Sequence, residues 1–299
     1  MGAKYINPYT DFGFKKLFGE EATKDLLKDF LNELLPIEHK IVKLTFKNPE
    51  KPGALESDRK AILDIHCENE KGDRFIVEMQ KAKLKFFKDR AVFYTTFPIK
   101  EQAEKGDWNF KLNPVYCVAI LDFQFGDDRE QKDYLSNVQL KDQYCQVFFN
   151  KLTYVFIEMP RFTKSENDLE NHFDKWLYFL KHLETFEDIP DILKEEVFIK
   201  GFEIAKIANF NKKQLEEYEE SLKVYRDLKG VIDTSREEGR EEGREEGREE
   251  GREEGREEGR TKGREERTLE VAKELKKNGV AIDIIARSTG LTKEEIQNL

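Results

Sequence analysis

Cysteine, histidine and long apolar runs are scarce in this chain, and each scarcity removes a class of function. The three cysteines, Cys67, Cys117 and Cys145, are odd in number and have no CxxC spacing. That argues against a disulfide framework and a zinc cluster, and it fits a reducing cytoplasm. Four histidines, at 39, 66, 172 and 182, provide no metal-ligand pair on one helix. No apolar run approaches membrane-spanning length, and the opening MGAKYINPYTDFGFKK lacks both an apolar signal core and the Ser/Thr of a myristoylation signal. The expectation is a soluble cytoplasmic protein with no membrane contact. Positive charge is also in deficit: the net charge is −10, so the chain as a whole does not attract polyanions. Any basic surface must be local.

What is present is core material, with 23 Phe and 10 Tyr in 299 residues. TDFGFKKLFGEEATKDLLKDFLNELL (10–35) carries apolar residues at helical spacing, with Thr10 or Asp11 as cap, a break at Gly19 and a restart at Thr23. HKIVKLTF (39–46) reads as a strand and NPEKPGALESDR as a loop. KAILDIHCEN and RFIVEMQKA, joined by EKGD, read as a hairpin. Residues 84–104 read as a helix that Pro98 should kink or end. NPVYCVAILDFQF (113–125) is the near-continuous apolar run of a strand covered on both faces, and QVFFNKLTYVFIEMPRF (146–162) adds one or two more. From about 166 the period becomes helical. The order predicts an α/β or α+β core over 1–165 and a helical extension over 166–235.

Arg236 starts a tandem repeat, REEG six times and then RTKG and REER. Residues 236–267 hold ten basic and fourteen acidic side chains. Each Glu–Arg pair three apart contributes about 0.2–0.5 kcal/mol to a helix, and each Gly costs about 1 kcal/mol against Ala. With no apolar stripe, the segment is read as a solvated spacer. Residues 268–299 read as a small helical tail resembling a helix-turn-helix, with a capping box at Thr292 and Glu295. Its last helix carries Glu294 and Glu295, a poor charge for a DNA groove. Self-association or a regulatory contact is the preferred reading, giving a homo-oligomer formed through the C-terminal helices.

The chemistry concentrates in LDIHCENEKGDRFIVEMQ (63–80). Side chains two apart on a strand share a face, so Asp64 and His66 project together from one arm and Glu78 and Gln80 from the other. Antiparallel arms lie within about 5 Å, and two carboxylates that close repel unless a cation sits between them. Hard oxygen ligands with open water positions suit Mg²⁺ or Mn²⁺. Taken alone the pattern also fits charged ends of a half-exposed hairpin, and His66 reads first as a hydrogen-bonded structural residue. KAKLKFFKDR follows at once, placing Lys81, Lys83, Lys85, Lys88 and Arg90 beside the acids, interleaved with Phe86 and Phe87. That suits a phosphate backbone passing the site, or else a solvated helix face.

YTDFGFKKLFG, LLKDFLNELL, the hairpin, DRAVFYTTF, NPVYCVAILDF, FIEMPRF with KWLYFLKHL, the Glu/Gly/Arg repeats and IIARSTGLTKEEIQNL together resemble the recombination-promoting nuclease and transposase family. This family lies in the PD-(D/E)XK nuclease superfamily, and the likeness covers almost the whole chain. It implies an α/β restriction-endonuclease-like core, a mixed sheet flanked by helices, and a metal-dependent DNA endonuclease serving recombination, mobile elements or defence. By position it implies Asp64 and Glu78 as metal carboxylates and the Met79 carbonyl as a further contact. Gln80 stands where the superfamily has a catalytic lysine; an amide orients water but takes no proton. Lys83 is then a candidate for a displaced ammonium, and Asp11 for an extra carboxylate, although Asp11 reads equally as a helix cap. Arg90 and Tyr94 match a family feature, and core packing is an equal reading of both. The rival function is a non-catalytic DNA-binding or oligomeric scaffold on a degenerate nuclease core.

Overall fold

A computed structural model describes residues 3–37, 39–51, 61–103, 106–125 and 133–299. Most of the expected loop NPEKPGALESDR therefore lies outside the described residues. The chain divides into two compact units, Met1–Val231 and Ile232–Leu299.

In the first unit, α1 (Asp11–Phe18) ends at Gly19 and α2 (Lys24–Leu34) starts afresh. Leu26, Leu27, Phe30, Leu31 and Leu34 of α2 are all buried, the one-sided stripe that a 3.6-residue period produces. A sheet of six strands then forms in the order β1 (Leu44–Phe46), β4 (Ile65–Asn69), β5 (Arg74–Gln80), β6 (Val115–Leu121), β8 (Val147–Glu158), β7 (Leu135–Lys141). β5, β6 and β8 run parallel, while the β1, β4 and β7 pairings are antiparallel. Two short strands, β2 (Glu50–Lys51) and β3 (Ala61–Ile62), pair separately.

β1 is shorter than the eight-residue run HKIVKLTF for a specific reason. The backbone N–H and C=O of Ile41 bond to the Asn32 side chain at 2.7 and 3.1 Å, and the N–H groups of Val42 and Lys43 bond to Glu70 Oε2. Those groups are satisfied by side chains, so only three residues join the ladder.

The two faces of the sheet separate residue by residue. Phe75, Val77, Met79, Val118, Ile120, Val155 and Ile157 enter the core shared with α1, α2, α4 (His172–His182) and α5 (Glu196–Ala205), around the fully buried Trp176. Ile76, Cys117, Ala119, Leu121, Tyr154 and Phe156 face α3 (Phe87–Lys100). This period of two fixes the direction of everything on β5: Glu78 and Gln80 share the α3 side with Ile76. Pro98 lies two residues from the end of α3, where its missing N–H costs one hydrogen bond.

α6 (Lys212–Lys277) begins in the first unit, and its residues beyond Val231 belong to the second. The repeats lie on this helix, and residues 233–267 are all exposed. Gly279, at φ 77°, follows its end, and α7 (Ile282–Thr289) and α8 (Lys293–Asn298) close the tail. Ala272, Ile285 and Ile296 make the small core there, and Thr292 with Glu295 forms the expected capping box.

Candidate active site

The carboxyl ends of parallel strands are where α/β sheets usually receive ligands; here β5 ends at Gln80 and β6 at Leu121. The β4–β5 ladder begins where Ile65 pairs with Val77, and Asp64, in the bend just before β4, lies beside Glu78. The Asp64 N–H donates to Glu78 Oε1 at 3.0 Å, and the Met79 N–H donates to Asp64 Oδ2 at 2.8 Å. Gln80 Nε2 donates to Glu78 Oε2 at 3.2 Å. Glu78 is 3% exposed and its register partner on β6 is the buried Ala119.

Burial dominates the electrostatics. It raises the carboxyl of Asp64; the Met79 N–H opposes this, the Asp11 charge adds to it, and Lys15 and Arg90 oppose it. Burial, and next the charge of Asp64, push Glu78 up to about 8. Burial and mutual repulsion disfavour two negative charges here, and the nearby Lys15 and Arg90 offset this only in part.

Beside them lies a cleft of about 280 Å³ lined by Asp11, Asp64, Gln80, Lys81 and Arg90, with Leu228 of α6 closing one side. Thr10 caps α1 by accepting from the Gly13 N–H at 2.9 Å, so Asp11 is not the cap. Asp11 instead pairs with Lys15 at 3.0 Å. Lys15 was not among the residues expected from the sequence, although its spacing of four from Asp11 is a legible pairing signal. Gly13 is what lets α1 begin here: a Cβ on it would stand 2.2 Å from the Asn7 carbonyl oxygen.

The basic segment divides. Lys81 is partly buried in the cleft, and burial lowers its pKa while Asp11 and Asp64 act to raise it. Lys83 is exposed and does not line the cleft. Lys85 and Lys88 are exposed as well, over the rings of Phe86 and Phe125. Arg90 reaches the cleft, and its Nε donates to the Tyr94 hydroxyl at 2.7 Å. Phe87 is buried against Phe123, Phe125 and Phe156, whereas Phe86 is exposed. His66 is buried on β4, across from Ile76.

Among the described residues no group of three His, Cys, Asp or Glu side chains is close enough to hold an ion by itself. That suits Mg²⁺, which takes one or two carboxylates and leaves its other positions to water and substrate phosphate. Of the two Asp64 oxygens, only Oδ2 is engaged in a hydrogen bond among the described residues. The donor set and the only partly offset negative charge therefore fit a hard divalent cation.

Paired acids at the carboxyl edge of a mixed sheet flanked by helices define an α/β protein of nuclease type. The family model described as PD-(D/E)XK nuclease family transposase matches residues 8–235, and the chain belongs to that family. No curated protein and no solved structure matches it. Membership points to a nuclease- or transposase-like function on DNA, in a family that generally uses divalent metals. No helix among the described residues is long and apolar enough to cross a membrane.

Proposed function

We propose that the protein is a divalent-metal-dependent DNA endonuclease acting in recombination, mobile-element movement or defence. The observation that carries this reading is the meeting of Asp64, which lines the cleft, with the buried Glu78 behind it, both with raised carboxyl pKa values. Asp64, Glu78 and the Met79 carbonyl would hold Mg²⁺ or Mn²⁺, with Asp11 as a further carboxylate. When bound, such an ion polarises the phosphodiester and makes water a stronger nucleophile.

The chain's own residues do the rest. Gln80 holds Glu78 in place through the 3.2 Å hydrogen bond and offers its amide to a water, but it cannot accept a proton. Lys81, beside Asp64 and Asp11 in the cleft, supplies the positive charge that position 80 lacks, a role better suited to it than to the exposed Lys83. Arg90 presents its guanidinium to the passing phosphate, fixed by Tyr94. Lys85 and Lys88 hold the strand outside the cleft by charge alone.

The test is plasmid nicking with Mg²⁺ or Mn²⁺, abolished by EDTA and by Asp64→Ala. Gln80 in place of a lysine favours one rival, a DNA-binding protein that does not cut. Binding without nicking under any divalent ion would establish that rival. We extend the proposal to self-association through the C-terminal helices, where Leu269, Val271 and Ile284 are exposed apolar side chains. Deleting 236–299 should lower the number of chains per particle, taken from the light-scattering mass divided by the mass of one chain, and an unchanged number would remove this part.

A further inference from the structure

The segment that follows the acids leaves apolar rings in water where the fold had a choice. Phe86 and Phe87 are neighbours; Phe87 turns inward and is 5% exposed, while Phe86, at the N-cap of α3, is 64% exposed. Arg90, Phe93 and Phe97 follow at four, seven and eleven residues, the spacing that keeps side chains on one helical stripe. Phe93 is 46% exposed and meets Phe97 edge-on, ring centroids 5.1 Å apart. Arg90 stands in the middle of this stripe and lines the cleft, and its backbone N–H bonds to the Phe86 carbonyl at 3.0 Å. The aromatic row thus shares its helical stripe with Arg90, a residue that lines the cleft.

Its charge surroundings name the partner. Residues 81–90 carry five basic side chains and one acidic in a chain of net charge −10. The Lys85 ammonium lies 5.5 Å from the Phe86 ring centroid. A planar apolar group surrounded by cations fits a polyanion that itself carries planar apolar groups. Nucleic acid has that chemistry, but paired bases already stack on each other and present only polar edges in the grooves. Phenylalanine has no donor or acceptor with which to read those edges. Unpaired bases are different, because each exposes a π-face and gains from stacking whatever its identity.

We propose that Phe86 is the stacking platform for an unpaired nucleobase beside the cleft, and that the preferred substrate is single-stranded or flapped DNA. This rests on the nuclease reading for its setting and deepens it by naming the substrate class. Stacking of one base changes affinity by about five- to hundred-fold.

The experiment reads binding, so it does not depend on cleavage. The full chain carrying Asp64→Asn is titrated, in EDTA, into a labelled single-stranded oligonucleotide and into the same sequence as a blunt duplex, with anisotropy as the signal. Phe86→Ala should weaken single-strand binding within that range and leave duplex binding unchanged. Phe86→Trp should keep the single-strand affinity, with indole emission quenched on binding. Phe86→Leu, equally apolar but not planar, should behave like Phe86→Ala. An equal loss on both substrates, no loss on either, or a change in the mass of the free protein in place of DNA affinity would overturn the assignment; the last result would give this face to a second copy. A protein that stacks single strands but cuts neither plasmid nor a single-stranded or flapped oligonucleotide with any divalent ion would refute the nuclease reading and leave the stacking platform standing as a binding site. Nicking that persists without any effect of Phe86 would do the reverse.

Discussion

Replacing Glu78 by glutamine makes the folded protein less sensitive to alkali, and the structure gives both sign and size. The ordinary value of the Glu78 carboxyl is 4.5, and in the fold it is pushed up to about 8 by burial and by Asp64. Between those values the folded chain keeps a proton that the unfolded chain has released. The folded state then binds more protons, so stability falls as pH rises from about 4.5 to about 8. The full interval corresponds to about 5 kcal/mol. Because Asp64 shares the titration, replacing one acid recovers only part of it, on the order of 2–3 kcal/mol. Glutamine keeps the shape: its carbonyl still accepts from the Asp64 N–H, and a flipped Gln80 amide presents its oxygen to the new NH₂ group. Urea unfolding in EDTA, followed by the fluorescence of the buried Trp176, measures this at about pH 5 and about pH 9. Wild type should lose stability between the two by that amount relative to Glu78→Gln. Parallel behaviour of the two proteins would refute the premise that burial and Asp64 hold this acid protonated.

Two further predictions follow from the same geometry. Lys81→Met should lower single-turnover cleavage on the order of 10²-fold, whereas Lys83→Met should change it little; the opposite order would return the catalytic cation to Lys83. Gly13→Ala sets a Cβ against the Asn7 carbonyl oxygen, 2.2 Å away if nothing moves. It should cost about 1–3 kcal/mol in urea unfolding and reduce nicking as α1 carries Asp11 out of the cleft. Full stability with full activity would show that α1 does not need this close approach.

The period of two made the face of Glu78 legible, because it lies on β5. Asp64 comes close to it from the bend before β4 and not from the strand expected to carry it, so only the hairpin, and not the strand period, brought the two acids together. The α2 stripe and the doubly covered β6 were legible for the same kind of reason, a pattern carried by many residues at once. Lys81 was not distinguishable from Lys83, since β5 ends at Gln80 and beyond it no period assigns a side. Nor did the sequence distinguish Phe86 from Phe87, two identical residues at a helix start where only the entry angle decides which is buried. The short β1 depends on Asn32 and Glu70 taking backbone partners across the fold, which no local pattern reports.

Anomalous diffraction from crystals soaked in Mn²⁺ locates the ion itself. A peak is expected within coordination distance of carboxylate oxygens of both Asp64 and Glu78, with their present hydrogen bonds rearranged around it. Mn²⁺ bound only elsewhere, with the Asp64–Met79 and Glu78–Asp64 hydrogen bonds intact, would contradict that expectation.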